Sequence, residues 1–210
     1  MLVMEFVQGT KLKELNGETL INDPEILAGQ GLSAAIDQIL RDGFFHADPH
    51  PGNILVTQEG RICLIDWGMT GRLSERDRHQ LIGLLQAMLE KDGEAMVHTL
   101  LRIGHAEAVI DQRDLERDLL DILDLHYAVP IKDMNIGGLL MAITALLRTY
   151  RLRLPPDLVI MIKALIAAEG TARRIHLELD VVSEAKAHIS NWWRIGLTID
   201  LSRFSRSNPM

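Results

Sequence analysis

FFHADPHPGNILV, residues 44–56, sets two histidines, an aspartate, two prolines and an asparagine between two apolar runs. Neither a strand nor a helix requires that set of residues, and a surface loop rarely carries it. A metal site is one reading. His46, Asp48 and His50 stand at alternate positions and could all approach zinc, with the aspartate as an oxygen donor. Loop ligands at that spacing need a fourth donor nearby, and no Cys/His cluster follows.

The sequence on either side places the cluster between a helix and a hairpin. Upstream, NDPEILAGQGLSAAIDQILRDG offers Asp23 as N-cap, Pro24 at the first helical position and Gly43 beyond the end. Ile36, Ile39 and Leu40 supply the helical spacing. Downstream, NILV at 53–56 and RICLID at 61–66 flank TQEG, which predicts a hairpin. Ser74 with Asp77 forms a capping-box pattern ahead of a core-facing stripe, Leu81, Leu84, Leu85, Met88 and Leu89. Further helices are predicted near 93–103, 112–126, 136–151, 157–175 and 181–195, separated by Pro130 and Pro155-Pro156. MLVMEFV, 1–7, reads as an extended segment and SRFSRSNPM as a frayed end.

Composition sets limits on the function. The 210 residues are 47% hydrophobic and 24% charged, enough for a packed core, and with 4% aromatics that core is mostly aliphatic. The net charge of −7 and the lack of a dense Lys/Arg stripe argue against a nucleic-acid partner. A single cysteine, Cys63, excludes an intrachain disulfide and points to a reducing, cytoplasmic location. The N-terminus does not read as a signal peptide. The longest apolar stretch, GGLLMAITALL at 137–147, is about half a membrane span, so no transmembrane segment is expected.

Within that frame the cluster fits phosphoryl transfer. This chemistry needs a carboxylate at the acceptor and oxygen ligands for Mg²⁺, because the enzyme mainly positions and neutralises phosphate. Asp48 and Asn53 are five apart, the spacing of H-x-D-x-x-x-x-N, and His46 fills its first place. The hairpin then delivers Asp66, with Gly68 where a D-F-G motif has its glycine. The alternative is a loop whose polar groups only cap neighbouring elements.

HADPHPGN together with LIDWGMTGRLS resembles the UbiB/ABC1/ADCK family of atypical kinases. LVMEFVQG resembles that family's hinge, LSERDRHQLIGLLQAMLEKD the helix after its metal-binding loop, and LPPDLVIMIKALIAAEGTARRI a late helix. The resemblance implies a mainly α fold: a protein-kinase-like large (C-terminal) lobe with a short catalytic-loop β-hairpin, small lobe absent. Residues 1–9 would be the hinge and 10–195 the lobe, with the catalytic loop at 46–53, the metal-binding loop at 66–68 and a tail at 196–210. Asp48 would be the catalytic aspartate, and Asn53 and Asp66 would hold Mg²⁺. Glu5 and Val7 would present hinge backbone groups to the adenine of ATP, and His46 would brace the loop. His50 lies where protein kinases have a loop lysine; it would either approach phosphate or make a loop hydrogen bond. Trp67 stands in for the usual Phe, and Cys63 reads as core.

The family's link to ubiquinone biosynthesis implies a polyprenyl lipid or quinone-biosynthesis proteins as partners and a place at or near a membrane surface. Only Met69–Leu73 separate Gly68 from the capped helix, so a peptide-docking platform is missing and a small molecule or lipid headgroup is the expected substrate. Apolar helices at 136–168 read as core rather than as a lipid-facing surface. Kinase chemistry also requires a lysine, its glutamate partner and a phosphate-covering loop ahead of the hinge, and no such segment occurs here. Whether the chain is an enzyme is therefore open. The alternatives are a non-catalytic paralogue that binds lipid or protein and a fragment of an aminoglycoside/choline-type kinase, in which the second carboxylate usually lacks the following glycine.

Overall fold

The computed structural model describes residues 5–15, 23–129 and 134–184. Among the described residues six helices carry most of the fold, and five of the seven short strands gather around the loop singled out above. Strand β1 (Gly9–Lys11) precedes helix α1 (Pro24–Asp37), which runs into a π turn at Gln38–Asp42. Next come β2 (Phe44–His46), β3 (Ile54–Thr57), β4 (Ile62–Leu64) and β5 (Thr70–Arg72). Helices α2 (Glu75–Glu90) and α3 (Gly93–Ile103), strand β6 (His105–Ala106), helices α4 (Gln112–Tyr127) and α5 (Ile136–Thr149), strand β7 (Leu152–Arg153) and helix α6 (Pro156–Ile175) complete the described order.

The helix starts follow from local chemistry. Asp23 accepts the Glu25 N–H at 2.9 Å ahead of Pro24, where a missing N–H costs nothing. Ser74 and Asp77 close the capping box that opens α2. Gly43, at φ +65°, ends the first helix in the left-handed conformation that glycine tolerates best.

Two apolar clusters meet along α2. Leu81 and Ile82 join α1, Phe45 and α6 in one of them. Ala87 and Met88 join α3, α4 and α5 in the other. The buried face of α2 is therefore Leu81, Ile82, Ala87 and Met88, whereas Leu84, Leu85 and Leu89 of the expected stripe are half-buried. On α6 the small residues Ala164, Ala168 and Ala172, one helical turn apart, are buried where the helix packs on α1. The apolar helices at 136–168 are mostly core: Leu139, Ile143, Leu147, Leu158 and Met161 are buried, with Met141 of α5 exposed.

The strands correct the sequence reading in several places. The expected hairpin exists, with Ile54 opposite Leu64 and Val56 opposite Ile62, but its second strand stops at Leu64. The sheet has a third member, since β1 pairs antiparallel with β3. Residues 5–8 carry no regular structure, so the extended segment expected at 1–7 is a strand only from Gly9 onward; residues 1–4 lie outside the described residues. A second ribbon, β2 with β5, was not expected; it binds the start of the polar loop to the segment just before α2. There Gly71 lies against the fully buried Phe45 ring, and a Cβ at Gly71 would come 2.0 Å from that ring. Cys63 is half-buried rather than core. Of the helix expected at 181–195 only 181–184 are described, and the tail at 196–210 lies outside the described residues.

A hydrogen bond between side chains joins α4 to the end of α5. The Tyr150 hydroxyl donates to Asp118 Oδ2 at 2.7 Å. That bond pushes the phenol up to about 12 and holds the Asp118 carboxyl below its ordinary range. A raised phenol pKa contributes stability that is present below pH 10 and lost as pH climbs from about 10 to 12. The lowered carboxyl contributes stability that is present above its ordinary value and lost in acid. Tyr150→Phe should remove the phenol's contribution and that part of the carboxyl's which Tyr150 supplies, a slight loss at neutral pH because both groups are open to solvent. Denaturant melts of wild type and variant across pH should converge at both extremes; a constant gap would refute the linkage.

Candidate active site

The polar loop begins where β2 ends and is fixed by its own backbone. Asp48 N–H donates to His46 Nδ1 at 3.1 Å, so the ring proton resides on Nε2, which faces Ile65 O at 3.1 Å. Both ring nitrogens of this buried histidine are thus engaged with backbone. His46 is a cross-brace from the loop to the segment after β4, and neither nitrogen is left for zinc. Its own N–H donates to Gln38 Oε1 at 2.9 Å, which ties the loop to the π turn.

The loop then folds on itself. His50 N–H and Asn53 Nδ2 both donate to Asp48 O, at 2.9 and 3.3 Å. The Asn53 amide thereby fixes the loop through its NH₂ and keeps its carbonyl oxygen as the end available to a cation. Gly52 N–H donates to His50 Nδ1 at 3.0 Å, which leaves Nε2 as the protonated nitrogen, 3.7 Å from Asp48 Oδ2. The sequence left two roles for His50, and the loop hydrogen bond is present; the exposed ring also stands beside the half-exposed Asp48 carboxylate. From outside, Thr171 of α6 donates its hydroxyl to Pro49 O at 3.0 Å, and Lys13 N–H donates to Pro51 O at 3.2 Å.

Asp66 is joined to this loop through its neighbour. Ile65 N–H donates to Asn53 O at 2.8 Å, and Ile65 O receives His46, so the residue before Asp66 is held at both ends. Asp66 itself adopts φ +60°, a left-handed conformation uncommon outside glycine, asparagine and aspartate. Backbone strain of this kind clusters where a side chain must be aimed. Its carboxylate is exposed. A Cβ on Gly68 would lie 3.2 Å from Asp66 Oδ1, so the glycine leaves that oxygen its space. Trp67 folds back, donating Nε1–H to Leu64 O at 3.1 Å and stacking on Phe44 with ring centres 5.9 Å apart. Met69 O then accepts Ala47 N–H at 3.1 Å, closing the frame between the two loops.

The structure thus brings Asp48, His50 and Asn53 into one loop and secures Asp66 to it through Ile65. Glu5 is exposed and Val7 half-buried ahead of β1, and among the described residues no hydrogen bond joins either to the loop. Three anchors escaped sequence reasoning: Gln38, Thr171 and Ile65. Gln38 of the π turn and Thr171 of α6 are single polar residues within apolar helical patterns, and Ile65 acts only through its backbone.

Residues 1–100 match the ABC1 atypical kinase-like domain, and residues 119–180 match the UbiB helical domain. Among solved structures, the chain is similar to Rv3197 of Mycobacterium tuberculosis, determined in complex with erythromycin. The TM-score is 0.53 at 16% identity, over 81% of this chain and 44% of that one. At this identity the likeness concerns the fold, which in that relative extends well beyond the matched part. Among the described residues no helix is long and apolar enough to cross a membrane. With the two matched domains following one another along most of its length, the chain belongs to the UbiB/ABC1 family of kinase-like proteins.

Proposed function

We propose that this chain is the large lobe of a UbiB-like atypical kinase or ATPase, binding ATP with Mg²⁺ at the loop 46–53 and at Asp66. The observation that carries the reading is the His46 bridge, which couples the Asp48 loop to the residue before Asp66 through two backbone contacts. Among the described residues no three His, Cys, Asp or Glu side chains gather as a metal site. A divalent ion here would rest on Asp66, the Asn53 carbonyl oxygen and the nucleotide's own phosphates. Hard oxygen donors of that kind, few from the protein and several from substrate, suit Mg²⁺. Bound there, it would supply positive charge to neutralise the phosphates.

The remaining roles belong to the chain itself. Asp48, half-exposed and held by its own backbone, would orient an acceptor hydroxyl or water and take its proton. His50, with its Nε2–H beside that carboxylate, would donate to a phosphate oxygen. Glu5 and Val7 would offer backbone groups to adenine. The segment after Gly68 enters the β2–β5 ribbon at once, which favours a small-molecule or lipid acceptor over a peptide. A polyprenyl-lipid or quinone-pathway acceptor is the class that the family resemblance suggests.

Calorimetric titration with Mg-ATP tests the reading. Binding should be present with Mg²⁺ and lost in EDTA, and any phosphate release should disappear in Asp48→Asn. Heat changes that ignore Mg²⁺, or no binding up to millimolar nucleotide, would favour a non-catalytic module instead.

A further inference from the structure

Helices α1, α2, α5 and α6, with Tyr127 of α4, Met134, Val181 and Val182, line an apolar cavity of about 130 Å³ that opens in part to solvent. Its walls include Ile36 of α1, Leu85 of α2, Leu139 of α5, and Met161 and Leu165 of α6. Two polar residues touch it, and both have their polar atoms engaged elsewhere. Glu169 accepts the N–H groups of Ile136 and Gly137 and the Arg173 guanidinium, while the Tyr127 hydroxyl donates to Met88 O. A smaller void of about 50 Å³ shares Leu81, Leu85, Met88, Leu140 and Met161 with it and continues toward α3.

Protein interiors are normally packed as densely as organic crystals, with few voids larger than a water molecule. A space of this size lined by hydrocarbon does not hold ordered water, because water needs two to four polar partners. An engineered apolar cavity of about 150 Å³ stays dry and takes benzene or xenon. One wall is formed by Ile39 and Leu40 of the π turn, and π turns inside helices recur at functional positions. Gln38 in the same turn is the residue that holds His46.

We infer that this cavity is a binding site for a compact apolar molecule, the size of one aromatic ring or a short branched alkyl group. Burial of apolar surface holds the ligand, and no hydrogen bond selects it. None of its lining residues belongs to the polar loop 46–53, so the site does not depend on the nucleotide reading.

Benzene is the probe. At a concentration about tenfold above its Kd it should raise the melting temperature by about 3 °C. With methionine methyl groups labelled for NMR, Met161 and Met88 should shift on titration while Met141, exposed on α5, stays put. Leu85→Phe and Leu165→Phe, each tested separately, should fill the space, melt no lower than wild type, and weaken benzene binding at least about tenfold. No stabilisation with unmoved Met161, or Met141 shifting as much as Met161, would overturn the site. So would a folded filling variant that binds benzene as wild type does. If one variant fails to fold, the other and the Met161 titration decide.

Discussion

Asp66→Asn should abolish Mg²⁺-dependent nucleotide binding while leaving the stability of the free protein nearly unchanged. Two features of the site make this substitution informative. The residue sits at φ +60°, and asparagine adopts the left-handed region as readily as aspartate does. The side chain is also exposed, so replacing its charge disturbs little packing. What the substitution removes is an anionic oxygen for the cation, and affinity for Mg-ATP should fall by about 100-fold or more, ~2.7 kcal/mol. Asp66→Ala is the less clean experiment, since alanine in a left-handed conformation adds a backbone cost of about 1 kcal/mol. Repulsion between Asp48 and Asp66 without metal is screened by solvent at an exposed carboxylate, so any stabilisation of the free Asp66→Asn protein should be slight. Paired melts with and without Mg-ATP measure both effects. An Asp66→Asn protein that keeps the wild-type nucleotide response would end the metal role.

The largest loss of stability should come from Glu169→Ala. Glu169 is 5% exposed on α6, yet its partners belong to the start of α5. Oε1 accepts Ile136 N–H at 3.2 Å and Oε2 accepts Gly137 N–H, two of the donors that a helix N-terminus leaves unpaired. Arg173, one turn further along α6, donates Nε to Oε1 at 3.1 Å and its Nη2 to Met134 O at 2.7 Å. Alanine would leave the buried Gly137 N–H and the half-buried Ile136 N–H without an acceptor, and would leave the Arg173 guanidinium only its bonds to the Met134 and Leu177 carbonyls. Breaking one side of such a pair costs on the order of 3–5 kcal/mol, or about 10 °C in a chain of this size. Glu169→Gln retains the shape and one acceptor and should cost less. The double variant Glu169→Met with Arg173→Met should be milder than the sum of the two single changes, because it leaves no charge stranded. Thermal melts of the four proteins form a closed cycle; additive losses would show that Glu169 and Arg173 act independently.

The candidate site is legible in the sequence to the extent that its signals are local. H-x-D-x-x-x-x-N is set by the geometry of a single loop, and the hairpin length carries the next carboxylate. Helix ends were equally legible, since Asp23, Pro24, Gly43 and the Ser74–Asp77 box act within one turn of themselves. The core face of α2 was less so. Periodicity marks an apolar stripe, but which residues of it are fully covered depends on two separate clusters meeting there, so Ile82 and Ala87 are buried and Leu84 is not.

Local sequence therefore names the candidate oxygen donors, their spacing along the chain and the helices around them. How those residues are held depends on long-range packing. Gln38, Thr171 and the backbone of Ile65 anchor the loop from three different elements, and Glu169 serves a helix that begins more than thirty residues earlier. Such contacts leave no periodic trace, because each rests on one polar atom meeting one backbone group across a long sequence separation. Their partners are fixed only when the apolar faces of α1, α2, α5 and α6 have packed. The cavity among those helices has the same origin, since it is the space their side chains fail to fill.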